Sequence, residues 1–175
     1  MRVTNCSVNS PWDDGICLKS SLALGRPRPT EDVTISNCYV TGGYQLGAML
    51  DGSFRRLTGP QRPTGRIKLG TESNGGFRNI TISNCVFDSC RGLAMVSVDG
   101  GPTEDITISG ITMRDLRNAP FFLRLGARMR APRDTTVGTL RRVIISNLTC
   151  DAPANTSPAI IAGYSRPSGR RHQHP

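Results

Sequence analysis

A strand-like sequence recurs five times in this chain of 175 residues. One copy reads Val33-Thr-Ile-Ser-Asn-Cys-Tyr-Val40, and the others begin at Val3, Ile80, Ile106 and Val143. Within each copy apolar residues alternate with Thr or Ser, which is the period of a strand with one buried face. A strand that recurs every few dozen residues is typical of a solenoid. The sequence therefore predicts an all-β fold, a single right-handed parallel β-helix.

An Asn or a Gly closes each copy of the repeat. An Asn side chain at a turn can hydrogen-bond the backbone, so these residues are expected at one corner of successive coils. Cysteine follows three of them. Stacked cysteines of this kind are interpreted as small apolar ladder residues rather than as disulfides or a zinc site, because no C-x-x-C motif occurs. The corner residues are Asn5, Asn37, Asn84, Gly110 and Asn147, and the cysteines are Cys6, Cys38 and Cys85.

The repeats supply one domain, residues 1–163, with about five or six coils. The chain opens directly on a strand, without the leader that a secretory signal requires. We therefore expect a piece of a longer solenoid, truncated at the N-terminus, whose full-length parent is secreted or periplasmic. Residues 164–175 are polar and are expected to form a disordered tail. No apolar run reaches about 18 residues, so no transmembrane helix is predicted.

The chain carries 22 Lys and Arg against 13 Asp and Glu, a formal net charge of +9, which favours acidic partners. Nucleic acid is disfavoured because the five Phe and three Tyr do not interleave with the basic residues. An acidic polysaccharide or oligosaccharide is the expected partner, since Arg and Lys pair with uronate carboxylates. Neither a membrane partner, a metal nor a cofactor is expected, and the chain is predicted to be a monomer.

Two adjacent carboxylates, Asp13 and Asp14, stand out as candidates for chemistry. Each carboxylate disfavours ionisation of the other, and one of the two pKa values tends to rise. Acid and base roles need such a separation of pKa values. Pro11 and Gly15 flank the pair and permit a bent backbone that presents both side chains to one groove. The alternative is a simple turn-forming Asp-Asp-Gly.

Several motifs, taken in order, resemble glycoside hydrolase family 28, the polygalacturonase-like β-helix enzymes of pectin breakdown. Asp13-Asp14-Gly-Ile-Cys17-Leu-Lys-Ser is similar to the family's Gly-Asp-Asp-Cys-Ile-Ala-Leu-Lys-Ser segment. Gly70-Thr-Glu-Ser-Asn-Gly-Gly76 is similar to its Gly-Ser-Glu-Met-Ser-Gly-Gly turn. The resemblance runs from about Val3 to about Cys150. It implies a fragment of an inverting glycoside hydrolase that acts on a pectin-type acidic polysaccharide.

The same resemblance gives the site residues their roles. Asp13 would be the general acid, and Asp14 would be one of the carboxylates that activate water on the far side of the sugar, roughly 6.5–9.5 Å away. The family's second base aspartate belongs one coil upstream of Asp13, before the first residue, so the chain by itself is expected to be close to inactive. Trp12 is interpreted as a subsite wall on which a sugar face stacks.

The chain departs from the family pattern at two places. Tyr44 stands where the family has the His of Gly-His-Gly. Ala94 and Val96 stand where its Arg-x-Lys holds the uronate carboxylate. Arg66-Ile-Lys68 resembles that clamp but lies in the preceding coil, as a coincidence or as a relocated clamp whose two cations share one face of a strand.

Arg124, Arg128 and Arg130 form the next cationic group. Arg124 is a candidate for substrate contact, and the alternative for the group is a solvated edge with salt bridges to Asp115 or Asp134. Two further functions remain open beside the hydrolase. The departures favour a carbohydrate-binding β-helix without catalysis, and the fold alone permits a structural or adhesive solenoid.

Overall fold

The computed structural model describes residues 1–45, 53, 55–58, 63–151 and 157–164. Within these ranges the chain forms thirteen β-strands and no helix. Consequently no described segment is a helix long and apolar enough to cross a membrane. The strands are β1 (Arg2–Thr4), β2 (Ser7–Asn9), β3 (Ile16–Ser20), β4 (Thr30–Ser36), β5 (Tyr39–Thr41), β6 (Ile67–Ser73), β7 (Phe77–Ser83), β8 (Val86–Asp88), β9 (Leu93–Ser97), β10 (Thr103–Arg114), β11 (Phe121–Leu125), β12 (Leu140–Cys150) and β13 (Ile160–Ala162).

Every pairing between the named strands is parallel. β1, β4, β7 and the first part of β10 are neighbours, and so are β2, β5, β8 and the last part of β10. β12 pairs along both parts of β10. A second sheet has the order β13-β11-β9-β6-β3. From β1 to β7, each strand therefore pairs with the strand three places further along the chain, whereas β8 pairs with β10 and β9 with β11.

The repeated sequences pair with one another in register, as predicted. Val33 lies opposite Ile80 in a parallel pair, and Tyr39 lies opposite Val86. The pairing register is therefore the same before and after the Asn-Cys dipeptides at 37–38 and 84–85. The backbone N–H of Asn37 donates to the carbonyl oxygen of Ser83 at 3.1 Å, which continues the ladder through the corner.

The corner residues have left-handed backbone. Asn5, Asn37, Asn84 and Asn147 have φ angles of 56°, 54°, 52° and 52°, and Gly110 has 66°. In this conformation the Cβ atom lies too close to the following carbonyl oxygen, so it is adopted most readily by Gly, which has no Cβ, and by Asn, whose side chain can hydrogen-bond locally. The repeated Asn is thus favoured by the backbone conformation, which the hydrogen-bonding interpretation from sequence did not include.

A second left-handed column lies at the start of the same strands. Asp32, Asn79, Asp105 and Arg142 have φ angles of 56°, 49°, 58° and 52°. The Asn79 amide donates to the Asp32 carboxylate at 2.6 Å, and Arg142 Nε donates to Asp105 at 2.6 Å. Because Arg stands at one of these positions, the column has no single residue type, and the sequence pattern did not reveal it.

The core lies between the two sheets and is built from the alternating apolar residues. Ile35, Ile82 and Ile108 stack in register and are at most 1 % exposed. Burying each of these side chains contributes on the order of 1.5–3 kcal/mol. Cys38 and Cys85 are buried in the same cluster, as expected for ladder residues.

The outer face of the second sheet carries a row of side chains that matters for the site. Lys68 of β6 lies between Cys17 of β3 and Ala94 of β9, and Ala94 lies beside Phe122 of β11. Their chain neighbours, such as Leu69, point into the core because successive side chains of a strand alternate. Of the predicted tail 164–175, only Tyr164 belongs to the described residues.

Candidate active site

Asp13 and Asp14 lie in the turn that leads into β3. The carbonyl oxygen of Asp13 accepts the backbone N–H of Gly65 at 3.0 Å, and the N–H of Gly15 donates to the carbonyl oxygen of Arg66 at 2.8 Å. A Cβ at residue 15 would lie 2.9 Å from the Gly65 carbonyl oxygen, so this close approach requires glycine. The turn is therefore fixed against the segment that opens β6.

Asp13 and Asp14 both line one small cavity, as expected if the backbone bends between Pro11 and Gly15. The cavity has a volume of about 220 Å³. The Asp13 carboxylate also accepts the backbone N–H of Asp14 at 2.7 Å. The lining residues are Asp13, Asp14, Cys17, Lys19, Lys68, Thr71, Glu72 and Arg128.

Asp14 is held by two cations, Arg66 just before β6 and Lys68 within it. Arg66 Nε and Lys68 Nζ each donate to one oxygen of its carboxylate, both at 2.8 Å. The Asp14 side chain is only 6 % exposed. Burial alone would raise its pKa, but the hydrogen bonds and charges of Lys68 and Arg66 outweigh burial and lower the pKa of Asp14 below its ordinary value. Asp14 is thus an ionised carboxylate over a wide range of pH.

The prediction that Arg66 and Lys68 share a face is confirmed by their common partner. The carboxylate that they hold in this structure belongs to the protein itself. A relocated clamp for a substrate carboxylate would have to share these cations with Asp14.

Asp13 has a different environment from that of Asp14. Its side chain is exposed and forms no ion pair within the described part of the chain. Trp12, the preceding residue, is 64 % exposed and is not among the lining residues of the cavity. Two neighbouring carboxylates therefore meet different surroundings, one open to solvent and one fixed between cations.

Tyr44 lies beside the turn after β5. Its carbonyl oxygen accepts the side-chain amide of Asn9 at 3.2 Å, and the Arg56 guanidinium lies 5.5 Å from its ring centroid. Tyr44 is half-buried and is not among the residues that line the Asp13 cavity. A contact between Tyr44 and a substrate of Asp13 stays a prediction.

A larger cavity of about 700 Å³ covers the outer face of β9 and β11. Thr71 and Arg128 line both cavities, so the two adjoin. Arg124 projects into the larger one, where Val96 and Ala162 are its register neighbours. The remaining lining residues are Val98, Phe122, Leu125, Gly126, Ala127, Gly163 and Tyr164.

Arg128 is the site residue whose partner was not foreseen from the sequence. It pairs with Asp99, to whose carboxylate both Nε and Nη2 donate, rather than with Asp115 or Asp134. Asp115 is instead paired with Arg117 at 2.5 Å. Asp99 lies just after β9 and begins an Asp-Gly-Gly sequence. The sequence does not show that Asp99 is buried, so its pairing with Arg128 could not be predicted from residue types alone.

The remaining Cys, Asp and Glu side chains of the described residues are candidate metal ligands and nucleophiles. No group of three or more His, Cys, Asp or Glu side chains suited to a metal ion occurs among the described residues. The Cys17 thiol donates to the Gly70 carbonyl oxygen at 3.1 Å, and burial raises its pKa, so it is a poor nucleophile. Comparison of the whole chain with protein-family models, curated proteins and solved structures gives no match.

Proposed function

We propose that the chain is a right-handed parallel β-helix that carries the site of an inverting glycoside hydrolase for pectin-type acidic saccharides. The parallel pairing of strands three places apart, from β1–β4 to β7–β10, supports the fold, because such pairing arises when a chain winds in three-strand coils. The order of motifs that resembles glycoside hydrolase family 28 supports the class of reaction. The net charge of +9 supports an acidic substrate.

One observation carries the chemistry. Asp13 and Asp14 line the same cavity, yet Asp14 is fixed as an anion between Arg66 and Lys68 while Asp13 is exposed and forms no ion pair among the described residues. Carboxylates with unlike environments are what acid and base roles need. In this proposal Asp13 protonates the glycosidic oxygen, and Asp14 contributes negative charge where water is activated.

The test measures hydrolysis by the whole natural polypeptide that carries this sequence. Polygalacturonate and rhamnogalacturonan fragments are supplied, new reducing ends are counted, and proton NMR records the anomer that forms first. We expect inversion at the anomeric carbon. Asp13→Asn should lower turnover by roughly 10²- to 10⁴-fold, which is the usual contribution of a general acid.

Asp134→Asn is the matched control, because Asp134 is exposed and lines neither cavity. This variant should keep the turnover of the unaltered protein. Retention of the configuration, or an Asp13→Asn protein with full turnover, would rule out the assigned mechanism.

A second candidate function is carbohydrate binding without catalysis. The pairing of Asp14 with two cations favours it, because a carboxylate that already accepts two charge-assisted hydrogen bonds is a weaker base. Saccharide binding with no release of reducing ends by the whole polypeptide would select this function over hydrolysis.

A further inference from the structure

The larger cavity combines an apolar floor with arginine side chains at its wall. Val96, Val98 and Phe122 provide the floor, on which the apolar face of a pyranose ring can lie. None of the described lining residues is acidic. An anionic group in this cavity therefore meets no like charge from the wall.

Arg124 supplies the uncompensated charge of the cavity. It is exposed, and among the described residues it takes part in no ion pair or side-chain hydrogen bond. It stands in register between Val96 and Ala162, so its guanidinium rises from an apolar surface. A cation beside apolar surface attracts an anion more strongly than a fully solvated one does.

Arg128 supplies a donor group that is fixed in place. Nε and one hydrogen of Nη2 are used by Asp99, so three of the five N–H groups of its guanidinium remain for other acceptors. The backbone N–H of Arg128 also donates to the Val98 carbonyl oxygen at 2.8 Å. Asp99 is fully buried, and this anchor holds Arg128 where the two cavities meet.

We propose that Arg124 and Arg128 together recognise the carboxylate of a hexuronic acid residue, one sugar away from the residue that meets Asp13. The pair would supply the carboxylate recognition that Ala94 and Val96 lack. One net positive charge above an apolar floor suits a sugar acid better than a polyphosphate, which needs several cations. This inference rests on the proposed function, because the neighbouring sugar is defined by a bond placed at Asp13.

The test is calorimetric binding of trigalacturonate and of its methyl ester to the whole natural polypeptide, in an Asp13→Asn background that prevents turnover. We expect the acid to bind more tightly than the ester. Arg124→Gln should weaken acid binding by roughly tenfold or more and leave ester binding unchanged, since a charge-assisted hydrogen bond is lost.

Arg128→Lys should also lower the preference for the acid, because it keeps a cation beside Asp99 but removes the spare guanidinium donors. Arg133→Gln is the matched control: Arg133 is an exposed arginine outside both cavities, and its loss should leave the preference intact. A melting curve for each variant verifies that the fold is kept.

Three results would overturn the inference: equal affinity for acid and ester, an unchanged preference in Arg124→Gln, or no binding of either saccharide. The two proposals fail in different ways. A preference for the acid that depends on Arg124, in a protein that releases no reducing ends, would refute the hydrolase and leave the carboxylate site standing.

Discussion

At the scale of single residues, two buried carboxylates connect parts of the chain that are far apart in sequence. Asp14 is held by Arg66 and Lys68, and Asp99 is held by Arg128. Burial raises the pKa of Asp99, but hydrogen bonds from Arg128 and from the Arg130 backbone lower it overall. Each carboxylate fixes a cation at the rim of a cavity, so the shape of the groove depends on these ion pairs.

The Asp99–Arg128 pair should show an asymmetric cost when either partner is removed. Arg128→Ala leaves a carboxylate that is fully buried, whereas Asp99→Asn leaves a guanidinium that is 29 % exposed and can be hydrated. We expect Arg128→Ala to lower the free energy of unfolding by about 3 kcal/mol and Asp99→Asn by about 1–2 kcal/mol. Urea unfolding of both variants and of the double variant measures this. Equal costs would contradict the asymmetry.

At the scale of the strands, left-handed corners mark where β4 and β7 end. The Asn at the end of β4 and the Asn at the end of β7 both turn the chain with φ near 50°. The side chains that follow, Cys38 and Cys85, then enter the core. β4 and β7 are therefore ended by a single left-handed residue, whereas at Gly110 and Asn147 the same conformation lies within β10 and β12.

Asn37 offers a direct test of this corner, because its side chain is exposed and little packing is lost on substitution. Asn37→Ala should lower the free energy of unfolding by about 1 kcal/mol, since alanine adopts the left-handed region at a cost. Asn37→Gly should change it by less than about 0.5 kcal/mol, because glycine adopts that region freely. Thermal and urea unfolding compare the two. An alanine variant as stable as the glycine variant would show that the backbone conformation is not what selects Asn.

At the scale of the whole molecule, the charges form a network along the stacked strands. Glu104 of β10 accepts hydrogen bonds from Arg141 and Arg142 of β12, at 2.6 and 3.1 Å, and Arg78 of β7 lies 3.7 Å away. The hydrogen bond from Arg141 lowers the pKa of Glu104. Several arginines are thus paired with carboxylates at the sheet, whereas Arg124 beside the larger cavity forms no ion pair among the described residues.

Acid should destabilise the protein through carboxylates such as Asp14 and Asp99. Their folded-state pKa values lie below the ordinary value of 3.8, so their stabilisation is fully present above that pH and is lost as the pH falls through the lowered values. We expect the melting temperature to fall steeply below about pH 4. Asp14→Asn should lower the melting temperature at neutral pH and flatten its acid dependence.

Differential scanning calorimetry between pH 7 and pH 3 measures this effect. Asp134→Asn serves as the control, because Asp134 is exposed and lies outside both cavities. An acid dependence in Asp14→Asn as steep as that of the unaltered protein would show that Asp14 does not contribute.

The sequence by itself determined the strands and their parallel pairing. Copies of one strand that recur every few dozen residues are typical of a solenoid, in which equivalent strands stack in parallel and in register. The residue types also predicted that Asp13 and Asp14 face one groove and that Arg66 and Lys68 share one face of a strand. These features are local, because they depend on periodicity and on residue types a few positions apart.

Only the tertiary structure decided which charges meet. The partner of Arg128 is Asp99, 29 positions away, and the partners of Asp14 are 52 and 54 positions away. Such distances along the chain depend on the lengths of the segments between strands, which differ from repeat to repeat and follow no period. Neighbours across stacked strands are set by register and by these lengths together, so the two cavities and their shared wall emerge only when the strands are assembled.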